Sequence, residues 1–219
     1  MSLSELWSLY GQNYIDALLA TWGMTLESFA IAMVLAVAVT VMRVSPLKPL
    51  RVFGDLYVQV FRNIPGIALL IIVVYALPPL KVVLPYRTCV IVATVLLGSA
   101  FGSEIFMSGI NTVGVGQVEA ARSLGMSFSR ILAKIVIPQA LRSSVLPMTN
   151  LFIAVMLTTA LGSQMPLKPQ ELTGVVSYIN TRSLGGVAAF FISALGYLGT
   201  AFVVSHIGNY IDKKVRILR

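Results

Sequence analysis

Charge is what this sequence has least of. Asp, Glu, Lys and Arg make up 11% of its 219 residues, where a soluble globular domain carries about a quarter. A soluble domain of this length needs a polar exterior, and too few polar residues are present to build one. With 57% hydrophobic residues and a mean hydropathy of +0.88, composition places the chain in a membrane. Cysteine occurs once, at Cys89, which excludes an intramolecular disulfide and a cysteine-based zinc site. Packing is the role left for it. Histidine also occurs once, at His206, inside an apolar stretch with no second catalytic group nearby, so nucleophilic or acid–base chemistry has no visible constellation. The pattern G-x-x-x-x-G-K-S/T is absent, and with it any phosphate-binding loop for ATP. Glycines 162, 174, 185, 186, 196 and 199 read as helix contacts and turns. The opening "MSLSELWSLYGQNYIDALL" lacks a basic segment and carries Glu5 and Asp16, so no cleavable signal peptide is expected.

What the chain has is long apolar runs. Five are near the roughly 20 residues that a bilayer requires: about 17–42, 53–77, 88–110, 142–163 and 186–210. Trp7, Tyr10, Tyr14 and Trp22 precede or open the first, as interfacial aromatics do. Leu3, Leu6, Trp7 and Tyr10 share one helical face, which suits a short helix lying on the membrane. No repeat, low-complexity tract or second domain interrupts residues 1–219. The polar segment "QMPLKPQELTGVVSYINTRSLGG" suits a short helix starting near Pro169.

The net charge of +8 raises nucleic acid as a partner, but clustering of the basic residues in the short connections reads better as a topology signal. Arg43, Lys48 and Arg51 follow the first run. Arg122, Arg130, Lys134 and Arg142 surround the third connection, and Lys213, Lys214, Arg216 and Arg219 form the tail. The other side holds Lys81, Arg87, Lys168 and Arg182. Eleven against four puts the N-terminus outside and the C-terminus in the cytoplasm. Nucleic acid binding is not expected.

Within the third connection, "EAARSLGMSFSRILAKIVIP" is polar, small and helix-prone. Gln117–Leu124 favours helix, with Glu119 near its start to suit the dipole, and Gly125 suits a left-handed C-cap. Ser127 can cap a second helix, and Pro138 ends it or kinks it into the next span. Ala120 and Ala121 allow close approach of another backbone. Physics alone leaves a helix–turn–helix knob and a solvated loop as alternatives.

The spacing Glu119-Ala120-Ala121, Gly125, then Ile135-Val136-Ile137-Pro138 resembles the coupling-loop signature of bacterial ABC importer permeases, with Ile137 standing where Leu is usual. "TWGMTLES", "FRNIP" and "IPQALRSSVLPMTNLFI" are similar to stretches of the polar amino-acid uptake branch, which resembles glutamate-, glutamine- and histidine-type permeases. The resemblance implies a type I importer fold, all-α, in the bacterial cytoplasmic membrane, with a cytoplasmic coupling loop at about 111–141. It implies a dimer of separate ABC ATPases that bind ATP and Mg, a second permease subunit and an extracytoplasmic solute-binding protein. It also implies that the chain itself holds no cofactor, breaks no bond, and moves an amino acid among membrane lipid. Glu119, Ala120, Ala121, Ser123, Leu124, Gly125, Ile135 and Pro138 are the expected contacts to the ATPase. Two departures stand out. The family's Lys-Asp pair after the fourth-span Asn-x-Phe-Ile is replaced by Leu157 and Thr158, and Met107 replaces an Arg. The first suggests a non-identical permease partner that supplies those charges. "VMRVSPLKPLR" faintly resembles glutamate-uptake permeases and tilts the substrate toward an acidic amino acid. An ion channel, needing no nucleotide, is the alternative, although no filter-like segment is visible.

Charged groups inside apolar runs mark candidate pathways. Glu27, Asp55, Arg62 and Glu104 qualify, Asp55 lying just inside one end. Asn63, Pro65, Asn150, Thr158 and Thr159 complete the candidate set, and Pro65 is expected to loosen the second span and free carbonyls toward a cavity. Arg62 lies about 16 Å inward from Arg51 and Glu104 about 10 Å inward from Asn111 at 1.5 Å per residue. A buried ion pair between them is expected. The alternative is that Arg62 faces a cavity and meets an anionic substrate.

Overall fold

A computed structural model describes residues 2–182 and 186–215. Arg216, Arg219 and Gly185 therefore lie outside the described residues. Among those described there is helix and turn but no strand.

Helix α1 (Leu3–Arg43) is a single 41-residue rod, about 61 Å long at 1.5 Å per residue. Ser2 and Glu5 start it with a reciprocal capping box: the Glu5 amide donates to Ser2 Oγ at 3.3 Å and the Ser2 amide donates to Glu5 Oε2 at 2.8 Å. The separate surface-lying helix expected near the N-terminus is not there. Leu6, Tyr14 and Ala17 instead pack on Leu172, Val175, Ile179 and Ala189, and the Tyr14 hydroxyl donates to the Ala189 carbonyl at 2.8 Å. The apolar stripe found a protein partner, so the helix had no reason to turn onto the bilayer. Leu3 and Trp7 remain exposed.

The second apolar run is also not one rod. Helices α2 (Lys48–Asn63) and α3 (Gly66–Tyr75) meet at an angle of 103°. Pro65 explains the break. It disfavours helical backbone at the residue before it, and Ile64 is extended (φ −84°, ψ 128°). The expected loosening is a full bend. Among the described residues, four helices are long and apolar enough to span a membrane, or five if this bent pair counts as one span.

Helix α4 (Tyr86–Asn111) runs against much of α1. Gly98 and Gly102, four apart, face Ala32 and Ala36 in α1: a Cβ on Gly98 would lie 3.2 Å from that of Ala32, and one on Gly102 would lie 2.9 Å from that of Ala36. This is a small-residue seam of the kind that lets membrane helices approach closely, since lipid gives them little hydrophobic drive to associate.

The insert follows as α5 (Val115–Ser123), α6 (Phe128–Ile131), a π-helical turn (Leu132–Val136) and α7 (Ile137–Ser143). Pro138 does not terminate it. The widened turn ahead of Pro138 absorbs the missing amide donor, and the chain passes through α7 into α8 (Val145–Thr158). A 3-10 turn, Thr159–Gln164, ends that span. Helix α9 (Leu172–Arg182) starts three residues after Pro169, and α10 (Gly186–Val215) closes the bundle.

Candidate functional site

The insert is a folded knob with its own small core. Val113, Ala121, Ile131 and Val136 are buried together, and the turn between α5 and α6 is made at Gly125, whose φ of +76° is the left-handed conformation that favours glycine. Leu124 stops α5, its amide donating to the Ala120 carbonyl at 3.1 Å. Ser127 occupies the N-cap position of α6 with extended backbone but makes no side-chain cap bond. Ala121 is thus the core residue of the Glu-Ala-Ala triplet, whereas Glu119, Ala120, Ser123, Leu124 and Gly125 face outward. The Ser123 hydroxyl donates to the Glu119 carbonyl. Ile135 and Pro138 are half-buried, and Ile135 packs on that core. Five large apolar side chains of the insert are exposed, Ile137 and Leu141 in α7 and, most of all, Val115, Leu124 and Phe128, at 71%, 82% and 60%. The last three lie at both ends of α5 and at the start of α6. Apolar side chains so exposed on a segment that carries Arg122, Arg130 and Lys134 cost solvation unless something covers them.

A second site lies where α2 bends into α3. A cavity of about 650 Å³ opens there between the bend, α4, α8 and the 3-10 turn. Its lining is mostly apolar, with Thr94, Thr158 and Gln164 as neutral polar members and Arg62 as the one charged side chain among the described residues. Arg62 lies in the last turn of α2, where the negative pole of the helix favours a cation. Its guanidinium carbon sits 5.3 Å from the centre of the Phe101 ring. Arg62 Nη1 also lies 3.3 Å from Glu104 Oε2.

That expected ion pair is present but is neither isolated nor buried. Both side chains are about 40% exposed in the single chain, and Glu104 Oε2 is shared with Arg43 Nη1 at 3.2 Å. Arg43 is the hub: its Nε donates to Asp55 Oδ1 at 2.9 Å, its Nη1 reaches Ser103 Oγ at 3.3 Å, and Ser103 receives Thr40 as well. Gly54 leaves room for this, because a Cβ there would lie 2.8 Å from Arg43 Cγ. Sequence reading counted Arg43 only as a topology signal. Its position at the last turn of α1 facing Asp55 in the next helix was the available clue.

Among the other candidates, Thr158 lines the cavity and spends its hydroxyl on the Ala154 carbonyl. Thr159 is buried and bonds the Met156 carbonyl instead. Asn63 donates to the Gln59 carbonyl, and Asn63, Pro65 and Asn150 are not among the lining residues. Leu157, which with Thr158 replaces the Lys-Asp pair of the resembled pattern, does line it. Glu27 is held by Arg87 in a two-bond fork at 2.7 and 2.8 Å, tying α1 to the start of α4.

One charged group escaped sequence reading altogether. Glu171 is fully buried at the start of α9. Its carboxylate accepts from the Thr173 and Gly174 amides at 2.6 Å each and from the Tyr197 hydroxyl at 2.9 Å. Burial pushes this carboxyl above its ordinary value, against the opposing pull of those hydrogen bonds. A Glu followed by a short helix was the only hint in the sequence.

Apolar helices of spanning length, an open cavity at a helix break and a folded insert at one end define a multi-pass helical membrane protein. Residues 28–217 match the family described as the binding-protein-dependent transport system inner membrane component, and the chain belongs to that family. It is therefore an integral inner-membrane protein. It is 31% identical over 215 residues to the L-cystine transport system permease protein TcyB of Bacillus subtilis, covering 95% of this chain and 91% of that one. It is 33% identical over 208 residues to the glutamate transport system permease protein GluC of Corynebacterium efficiens, covering 90% and 91%. A solved structure titled an amino acid ABC transporter with histidines superposes with a TM-score of 0.92 over 98% of this chain and 99% of that chain, at 24% identity, which establishes the fold.

Proposed function

We propose that this chain is the transmembrane subunit of an ATP-driven importer for a polar amino acid. Membership of a binding-protein-dependent transport family is the observation that carries the importer class. The names of the relatives support amino acids as cargo, and since one takes cystine and another glutamate, glutamate is the narrower choice within that class. The knob with outward Val115, Leu124 and Phe128 supports docking on a separate ATPase dimer, which holds ATP and Mg. Glu119, Ala120, Ser123 and Gly125 contribute the rest of that face, and Ala121, Ile135 and Pro138 shape it from behind. In this reading the insert end of the bundle is cytoplasmic and the N-terminus of α1 lies outside, where a solute-binding protein delivers cargo. The chain catalyses no reaction; it converts ATPase closure into opening of the cavity by favouring one of two bundle states. Arg62, Glu104 and Thr158 belong to the pathway. Leu157 and Thr158 at the cavity wall bring no charge, which supports a non-identical permease partner that supplies it.

Uptake by the complete complex in liposomes tests this, with a panel of labelled amino acids, the binding protein outside and ATP inside. The expected result is accumulation of one or a few polar amino acids only when ATP and binding protein are both present. Flux without nucleotide would favour the channel alternative and overturn the reading.

A further inference from the structure

The cavity presents one cation and, among the described residues, no lining carboxylate. Arg62 contributes that cation, and three observations bear on what it is there to do. Its contact with Glu104 uses one nitrogen, Nη1, at 3.3 Å, although a guanidinium offers five N–H donors in a fork that matches a carboxylate. Its Glu104 partner oxygen is held independently by Arg43 at 3.2 Å. Finally, Thr94 is fully buried, belongs to the lining, and its hydroxyl has no hydrogen-bond partner among the described residues. An orphaned buried hydroxyl is uncommon and needs an explanation; Ser28 and Ser193 share that state among the described residues, and of the three only Thr94 belongs to this lining.

We infer that Arg62 is the carboxylate-reading residue of the cavity and works by exchange: a solute carboxylate takes the guanidinium of Arg62 while Glu104 falls back on Arg43. The exchange leaves no charge unpaired. Arg62 trades one anionic oxygen for another, Glu104 keeps Arg43, and Arg43 keeps Asp55 at 2.9 Å. That balance matters where water is scarce, because removing the partner of a charge is far costlier there than swapping it. Phe101, 5.3 Å from the guanidinium carbon, fixes the plane of the fork from one side. The Thr94 hydroxyl, in the lining, is a neutral donor left to complete the site, and the Gln164 amide, which gives one N–H to Ser163 Oγ at 3.2 Å, keeps a second. Glu104 thereby acts as an internal competitor. From outside the lining it engages Arg62 when the cavity is empty and sets how strongly a carboxylate must bind to take the guanidinium.

The inference rests on the importer reading and is tested apart from it. The assembled permease–ATPase complex, in nanodiscs and without binding protein, is titrated calorimetrically with glutamate, glutamine and 4-aminobutyrate. Arg62→Ala is expected to weaken binding of a carboxylate ligand about tenfold or more, and Arg62→Lys to recover part of it. Glu104→Gln is expected to tighten binding several-fold, because it removes the competitor while keeping the shape. A structural brace would not show that gain. If loss in Arg62→Ala is confined to glutamate and 4-aminobutyrate, Arg62 reads the side-chain carboxylate; if confined to glutamate and glutamine, it reads the α-carboxylate. Thermal melts of each variant establish that the complex is folded, and Arg62→Lys with Glu104→Gln carry the test should Arg62→Ala fail to assemble. Unchanged affinity in the Arg62 variants, or weaker binding in Glu104→Gln, overturns the exchange. So does a wild-type complex that takes up amino acids with its binding protein yet binds none of the three probes. A complex that takes up no amino acid at all fails at the importer reading beneath it.

Discussion

Gly125 holds a backbone conformation, φ +76°, that no β-branched residue adopts without strain, yet a side chain there would meet no neighbour within 4 Å. Gly125→Val should therefore cost about 1–2 kcal/mol locally and re-aim Leu124 and Phe128 without touching the bundle. The expected outcome is a complex whose membrane part melts normally but whose ATPase association and transport fall together. Co-purification and uptake assays check it. Arg43 makes the second residue-scale prediction. It is only 11% exposed and serves two carboxylates, so Arg43→Ala leaves Asp55 without a partner and Glu104 with Arg62 alone. With the partners near half exposure the loss should be about 1–3 kcal/mol, read from thermal melts. The Arg62–Glu104 pair, more exposed, should show a coupling of only about 0.5–1 kcal/mol in a double-mutant cycle. Depth counting in the sequence found Arg62 and Glu104 but not Arg43, because a basic residue at a helix end reads as topology until the next helix folds back over it.

At the scale of elements, the α1–α4 seam depends on Gly98 and Gly102 approaching Ala32 and Ala36. Gly102→Val would press on Ala36 and Met33 and should destabilise by about 1–3 kcal/mol through overpacking, seen as a lower melting temperature in detergent. Helix α9 is held by the buried Glu171, and its stability should depend on pH in a particular direction. The native carboxyl keeps its proton to higher pH than the unfolded chain does. The native state therefore gains most below the ordinary value of 4.5 and loses that gain as pH rises through the raised value. Glu171→Gln should flatten that slope, which melts across the acid-to-neutral range would show. The apolar runs were legible in the sequence because length and hydropathy alone mark a span. The break at Pro65 was legible as a weak point, but its 103° angle was not, since nothing local says which way the freed chain turns. The continuous α1 was hidden for a related reason: periodicity shows that Leu6 and Tyr10 share a face, not whether lipid or α9 covers it.

At the scale of the molecule, the knob lies at one end of the bundle and the cavity sits at the helix break, with the Arg43 network linking α1, α2 and α4. The turn at Gly125 was readable because a left-handed backbone favours glycine, whereas the knob was carried by the resemblance, the residues alone leaving a solvated loop open. The cavity was not readable, since it is assembled from three stretches far apart in sequence, 62–67, 94–101 and 151–164. If the partner permease brings the charges missing at Leu157 and Thr158, the intact complex should weigh as one copy of this chain, one of a second permease and two ATPases. Native mass measurement decides, and two copies of this chain without a second permease would contradict it. The claim on which all else depends is that the knob transmits the work of an ATPase to the cavity. The direct measurement follows ATP hydrolysis and amino-acid uptake together in liposomes containing the complete complex, comparing the wild-type chain with Leu124→Asp. The account predicts that loaded binding protein stimulates both in the wild type, and that both collapse in Leu124→Asp while the bundle melts unchanged. Undiminished, ATP-dependent uptake in the variant, or uptake in the wild type that needs no ATP, would contradict it.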